Sequence, residues 1–341
     1  MEVLGLGIEL LVLFVSFGFM VGVFFGFFGM GGAFLVTPAL LILGYPAPVA
    51  IGSSMAFVFG TAVIATMKHH DVGQVDYKLG ALMFVGIVLG IEAGKFLVFF
   101  LEALGRAELV VGTAYVLLLA AIGVIFTRSA LNQDDDEEQE VDGADDEIPE
   151  IAQKIKSYNI PPMVTLTDGS KASMWTISGV GGGVGVVSGF LGVGGGFIRM
   201  PAIYYLIGVP LAAAVGTSLF GALMSGAVGA FTYGLDGVVD LGVVTALLAG
   251  SALGARIGSA ATAYVDENDV TIYFGIMLLL ASTAVAFGEL ANWLEMPILD
   301  TLSFVLLIGS SVFVTVVIFY YGAQAIRAGD VRQTAAAGGD D

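Results

Sequence analysis

Cysteine is absent from this 341-residue chain, which excludes disulfides, thiolate metal sites and thiol chemistry. Charge is scarce as well: 12% of residues, against about 25% in an ordinary soluble domain. Lysine and arginine total 12 and form no basic face for nucleic acid, while a net charge of −18 opposes docking on anionic lipid. Catalytic signatures are missing too. No G-x-x-x-x-G-K-[ST] loop supplies a nucleotide-driven pump, and no G-x-G-x-x-G follows a strand to open a helix. Neither H-E-x-x-H nor a G-x-S-x-G nucleophile elbow occurs. His69 and His70 lie beside Lys68 and Asp71 at a helix end, without further ligands at metal-site spacing. They read as a solvated helix end, with proton handling near neutrality as the other reading. The chain is expected to be no enzyme and to need no cofactor or metal.

Apolar residues, at 57%, are what fills the sequence. Several runs exceed the roughly 20 residues that span a bilayer as a helix. They are continuous rather than alternating, so membrane-spanning strands are excluded. The first run lacks a basic leader region and passes straight into a glycine cluster, so it reads as a retained span. The acids are concentrated: twelve of thirty fall between Asp134 and Asp168, with Asp340 and Asp341 at the end. That pattern describes a solvated linker and tail, and such acidity also fits a salt-rich habitat.

One phrase is written twice. Residues 26–40 read GFFGMGGAFLVTPAL and residues 189–203 read GFLGVGGGFIRMPAI, identical at eight of fifteen positions. The repeat extends outward from there. Gly52-Ser53-Ser54 matches Gly216-Thr217-Ser218, Gly73 and Asp76 match Gly237 and Asp240, and Gly86, Gly90, Gly94 match Gly250, Gly254, Gly258. Upstream, Gly18, Gly22, Gly26 match Gly181, Gly185, Gly189. Glycines four apart make a smooth ridge on which two lipid-embedded helices can approach closely.

The expected fold is all-α: a polytopic transmembrane bundle of two homologous repeats. Each repeat has about four long helices plus a short broken or re-entrant segment, and one extra helix follows at the C-terminus. The first repeat spans 1–127, an acidic linker 128–172, the second repeat 173–290, the additional helix 291–323 and a flexible tail 324–341. Long helices are predicted over 4–27 and 173–190, short segments over 34–44 and 197–207, and helices over 47–67, 79–101, 107–127, 211–233, 241–263, 270–289 and 298–323. Val164–Gly169 reads as a small turn or hairpin within the linker. Lys68 and Lys78 flank the loop after the 47–67 helix, whereas the matching loop 234–240 has only Asp236 and Asp240. Arg128, Lys154, Lys156 and Lys171 place the linker in the cytoplasm, and Arg327 with Arg332 place the C-terminus there. Halves of opposite direction need the short segments to count as crossings; re-entrant segments would make the halves parallel.

Glycine clusters are poor helix formers, and a broken apolar helix at matching places in two halves points to a transporter's binding site. The freed amides must be buried in protein or line a polar cavity. At the start of a short helix they would suit an anion; a tight kink with no ligand is the plainer reading. Ser53, Ser54, Thr217 and Ser218 could donate to an anion or bond back to their own helices. Arg199 stands where the first half has Val36, as a substrate contact or a snorkelling cation. Glu92 and Arg256 occupy corresponding places in two glycine ladders and are expected to pair across the pseudo-symmetry axis.

The repeated G-[FL]-x-G-x-G-G-[AG]-F-x-x-x-P phrase, the G-[ST]-S segments and the two-half layout resemble the sulfite exporter TauE/SafE family of membrane permeases, over roughly residues 8–290. The acidic loops are similar to those of salt-loving archaeal members. The resemblance implies a secondary permease for sulfite, sulfonates or related small anions, with the family's glycine–proline motif falling on Gly29, Gly31, Gly32, Pro38 and on Gly192, Gly194, Gly195, Pro201. The expected partners are therefore a small anion and the lipid bilayer. A channel, or a membrane scaffold whose glycines serve packing alone, is the rival class.

Overall fold

A computed structural model of the protein describes residues 2–3, 5–28, 32–71, 76–133, 161–166, 171–209, 211–262, 264–265, 267–294 and 296–328. The first half contains α1 (Ile8–Phe28), a 3-10 turn (Gly32–Leu35) leading into α2 (Val36–Ile42), α3 (Ala47–Asp71), α4 (Tyr77–Ala103) and α5 (Ala107–Gln133). The second contains α6 (Met174–Leu191), α7 (Gly196–Ala202) passing into a π turn (Ile203–Ile207), α8 (Leu211–Leu235), α9 (Leu241–Ala261) and α10 (Glu267–Leu294). Then comes α11 (Pro297–Ala328). Among the described residues, eight helices are long and apolar enough to cross a membrane: α1, α4, α5, α6, α8, α9, α10 and α11.

Two differences from the sequence reading have local causes. Helix α1 begins at Ile8 rather than residue 4, because Glu2–Val3 (β1) and Leu6–Gly7 (β2) pair antiparallel around Gly5, whose φ is +76°. The hairpin in the linker is real but set wider than 164–169: Met163–Thr165 (β3) pairs with Lys171–Ser173 (β4). Two aspartates start helices in the same way. Asp76 accepts from the amide of Leu79 at 2.9 Å and Asp240 from that of Val243 at 3.0 Å, capping α4 and α9.

Glycine decides which helices meet. A methyl on Gly18, Gly22 or Gly26 of α1 would strike the backbone of Leu247, Ser251 or Ala255 of α9. In the same way Gly86, Gly90 and Gly94 of α4 lie on Ser178, Gly182 and Val186 of α6. Both numberings rise together, so α1 is parallel to α9 and α4 to α6. The first helix of each half thus packs on the fourth element of the other. The remaining equivalents pair with one another in opposite directions: Gly226 and Gly229 of α8 meet Phe59 and Met55 of α3, and Gly112 and Gly275 link α5 to α10 through Glu289 and Thr127. An operation exchanging the halves therefore reverses helix direction, which is the geometry of an inverted repeat. The outer surface is apolar, with Leu89, Phe96, Leu117, Phe231 and Leu253 each 62–73% exposed, as lipid contact requires.

Candidate functional site

The second glycine phrase interrupts the helix where the sequence placed the break. Helix α6 ends at Gly192, and Gly192, Gly194 and Gly195 all adopt left-handed backbone, with φ of +75°, +65° and +72°. The whole stretch is buried in protein. Its freed carbonyls are met by phenols: Tyr233 donates to Gly189 O at 2.6 Å, and Tyr115 donates to Leu191 O. A Cβ on Gly192 would stand 2.8 Å from Thr37 Oγ1 and 3.0 Å from Ile51 Cα, so this break rests on the first half's α2 and α3. In the first half α1 spans Ile8–Phe28 and the 3-10 turn Gly32–Leu35 follows, at the matching register. Gly29 and Gly31 lie outside the described residues.

The prolines sit differently in the two short helices. Pro38 is buried in the first turn of α2, where its missing N–H costs nothing. Pro201 lies inside α7 and is followed at once by the π turn, as a residue that removes a helical bond would dictate. Helix α7 has only seven residues, so the positive charge at this place comes from a side chain rather than a helix end.

That side chain is Arg199, which is fully buried. Its guanidinium donates to Ser218 O at 3.1 Å, to Gly194 O at 3.2 Å and to Ser225 Oγ, while Nε has no partner. All three acceptors are neutral. Among the described residues no carboxylate pairs with it. Gly221 makes room for it, since a methyl there would stand 2.6 Å from Arg199 Cδ. The snorkelling alternative is therefore replaced by a buried cation. Ser188, one turn before the break, is also fully buried, and its hydroxyl is unpaired.

Among the described residues, none of the four predicted hydroxyls bonds back to its own helix. Ser53 Oγ accepts from the amide of Asp240 at 3.0 Å, and Thr217 Oγ1 accepts from that of Asp76 at 3.0 Å. Each half thus holds the capping aspartate of the other. Ser54 accepts from Thr37 Oγ1 at 2.7 Å, and Ser218 donates to Gly196 O at 2.8 Å. Sequence reasoning missed Ser188, Gly221 and Ser225. The signal was departure from the repeat, since their counterparts are Phe25, Phe57 and Thr61.

The Glu92–Arg256 pair is not formed. Glu92 lies 3.6 Å from Lys95 on its own helix, and Lys95 reaches Asp236 of the second half at 2.8 Å. Arg256 is exposed. The two glycine ladders that carry Glu92 and Arg256 pack on different partners, α6 and α1, which keeps these side chains apart. The side chains of His69 and His70 lie outside the described residues. A cavity of about 330 Å³ opens elsewhere, between the end of α2, Glu108, Glu289, Asn292 and Asp300. Three carboxylates on its wall make it unsuited to an anion.

The family model for the sulfite exporter TauE/SafE matches residues 14–285. Over 278 residues the chain is 24% identical to "Probable membrane transporter protein YunE" of Bacillus subtilis, covering 79% of this chain and 94% of that one. Over 289 residues it is 24% identical to a "Probable membrane transporter protein" of Xylella fastidiosa strain 9a5c, covering 84% and 98%. Over 201 residues it is 24% identical to "Probable membrane transporter protein MJ0441" of Methanocaldococcus jannaschii, covering 57% and 61%. No solved structure matches the chain. With a family match over most of its length and eight apolar helices able to cross a bilayer, the chain belongs to the sulfite exporter TauE/SafE family and is a multi-pass membrane transporter.

Proposed function

We propose that the protein is a secondary permease for small anions, of the size of sulfite or a short sulfonate, working by alternating access. One observation carries this reading: Arg199 is completely buried, bonded only to neutral oxygens, and has an unpaired Nε–H. A desolvated charge without a counterion is costly, and inside a membrane such a residue marks a substrate path. A small oxyanion supplies the missing charge and accepts the free donor. Oppositely directed halves that meet at the break provide two related packings, one open to each side, between which the bundle can rock around the anion. The end of the bundle with Lys78, Arg128, Lys171 and Arg327 is assigned to the cytoplasm, together with the acidic linker and C-terminus.

The test is uptake of labelled sulfite and methanesulfonate into liposomes holding the purified protein. Saturable uptake that disappears in Arg199→Met supports a carrier. Flux rising linearly with concentration replaces it with a channel. Absence of flux for both probes, with the protein folded, replaces it with a scaffold.

A further inference from the structure

The halves share a backbone plan but not the chemistry around the break. Arg199 corresponds to Val36, Ser188 to Phe25 and Gly221 to Phe57. All three first-half side chains are buried, Val36 at 0%, Phe57 at 1% and Phe25 at 9% exposure. Where the second half has a cation, a hydroxyl and a bare backbone, the first has one branched aliphatic and two rings. None of these three side chains offers a donor to an anion.

Two unpaired groups remain beside the second half's break. Ser188 Oγ and Arg199 Nε are buried and lack partners, a state that folded proteins seldom tolerate without a purpose. The two side chains belong to the same neighbourhood: the point where a Cβ of Gly195 would stand is 2.6 Å from Ser188 Oγ and 3.2 Å from Arg199 Nη2, while Nε of the same guanidinium lies 2.7 Å from the Cβ position of Gly221. Hydroxyl and guanidinium flank one bare glycine. The nearby oxygens of Gly194, Ser218 and Ser225 already accept from the arginine, so the groups left over are donors.

We propose that Ser188 and the free donor of Arg199 form a single oxyanion subsite present in the second half alone, while Phe25, Val36 and Phe57 plug its pseudo-symmetric counterpart. This rests on the anion-permease reading above and adds a specificity residue and a stoichiometry to it. One anion is carried per chain per cycle, and Ser188 donates one of the hydrogen bonds that hold it. Glycine is required at 195 and 221 because any side chain there would enter the space of the hydroxyl or of the guanidinium.

The experiment is equilibrium binding of labelled sulfite to the full-length protein in nanodiscs, with methanesulfonate as competitor. The chain has no cysteine, so sulfite has no thiol or disulfide to modify. Wild type is expected to bind one sulfite per chain. Ser188→Ala raises Kd roughly tenfold, the loss of one hydrogen bond to a charged ligand. Its ligand-free thermal midpoint does not fall, because no protein partner is lost; a purely structural serine would lower it. Thr61→Val, at the counterpart of Ser225, leaves Kd unchanged. Two sulfites per chain would overturn the single-site assignment. So would an unaltered Kd in Ser188→Ala while Arg199→Met abolishes binding, and the permease reading would survive that result. Failure of wild type to bind either probe, with flux unaffected by Arg199→Met, would overturn that reading and the subsite with it.

Discussion

Two breaks of the same register, one in each half, have been put to different uses. Between α6 and α7 the interrupted chain encloses a guanidinium; in the first half the corresponding positions carry the buried side chains of Phe25, Val36 and Phe57. The scaffold around them remains symmetric. Ser53 and Thr217 each hold the other half's capping aspartate at 3.0 Å, and the α1–α9 and α4–α6 crossings rest on matching glycines. Duplication thus supplied the frame twice, and three side-chain differences, at 188, 199 and 221, made only one copy polar. On the reading proposed above, symmetry in the frame permits two related packings, whereas asymmetry at the centre limits the cargo to one.

The sharpest way to break this comparison is at the crossings. Gly254→Leu and Gly90→Leu each place a side chain inside the backbone of Phe19 or Gly182, where neither can retreat. The cost should exceed the roughly 1–3 kcal/mol of ordinary overpacking. Both variants should be lost from the folded peak in size-exclusion chromatography, to a similar degree. Survival of one alone would show that the frame is not equivalent in the two halves.

Next in size is the contrast between Arg199→Met and Val36→Met. The first should reduce uptake to the liposome background while leaving thermal stability equal or higher, since a buried charge without a counterion has been removed. The second should keep uptake and cost about 1–3 kcal/mol, as an enlarged side chain in a filled site does. Equal loss of transport in both would place the first break in the substrate path.

Ser53→Ala and Thr217→Val each leave one buried amide unsatisfied, for about 1–3 kcal/mol apiece in denaturation midpoint. The smallest effect belongs to Lys95→Ala. It removes the link to the half-exposed Asp236, and should cost no more than about 1 kcal/mol at low salt and less at high salt.

Much of the fold was legible. Continuous apolar runs mark the long helices because no other unit satisfies its backbone in lipid, and glycine–proline clusters mark the interruptions because they cannot continue one. The site was legible in part. Arg199 stood out as a charge in an apolar phrase, whereas Ser188 and Ser225 look like any small residue of a packed helix. Glu92 and Arg256 were misjudged because corresponding positions in a repeat need not meet. Helices α4 and α9 each pack on a non-equivalent partner, α6 and α1, so pseudo-symmetry did not bring these two residues together.

Taken alone, the amino-acid order determined the helices, their interruptions and the twofold plan, since these depend on local backbone chemistry and transfer to lipid. Only tertiary structure decided that Thr217 would serve Asp76 across 141 residues and Ser53 would serve Asp240 across 187. It also decided that Arg199 would lie on Gly221 with no acid beside it. Hydrogen bonds and charge compensation depend on which distant groups share a few ångströms, and that proximity arises when the halves interlock.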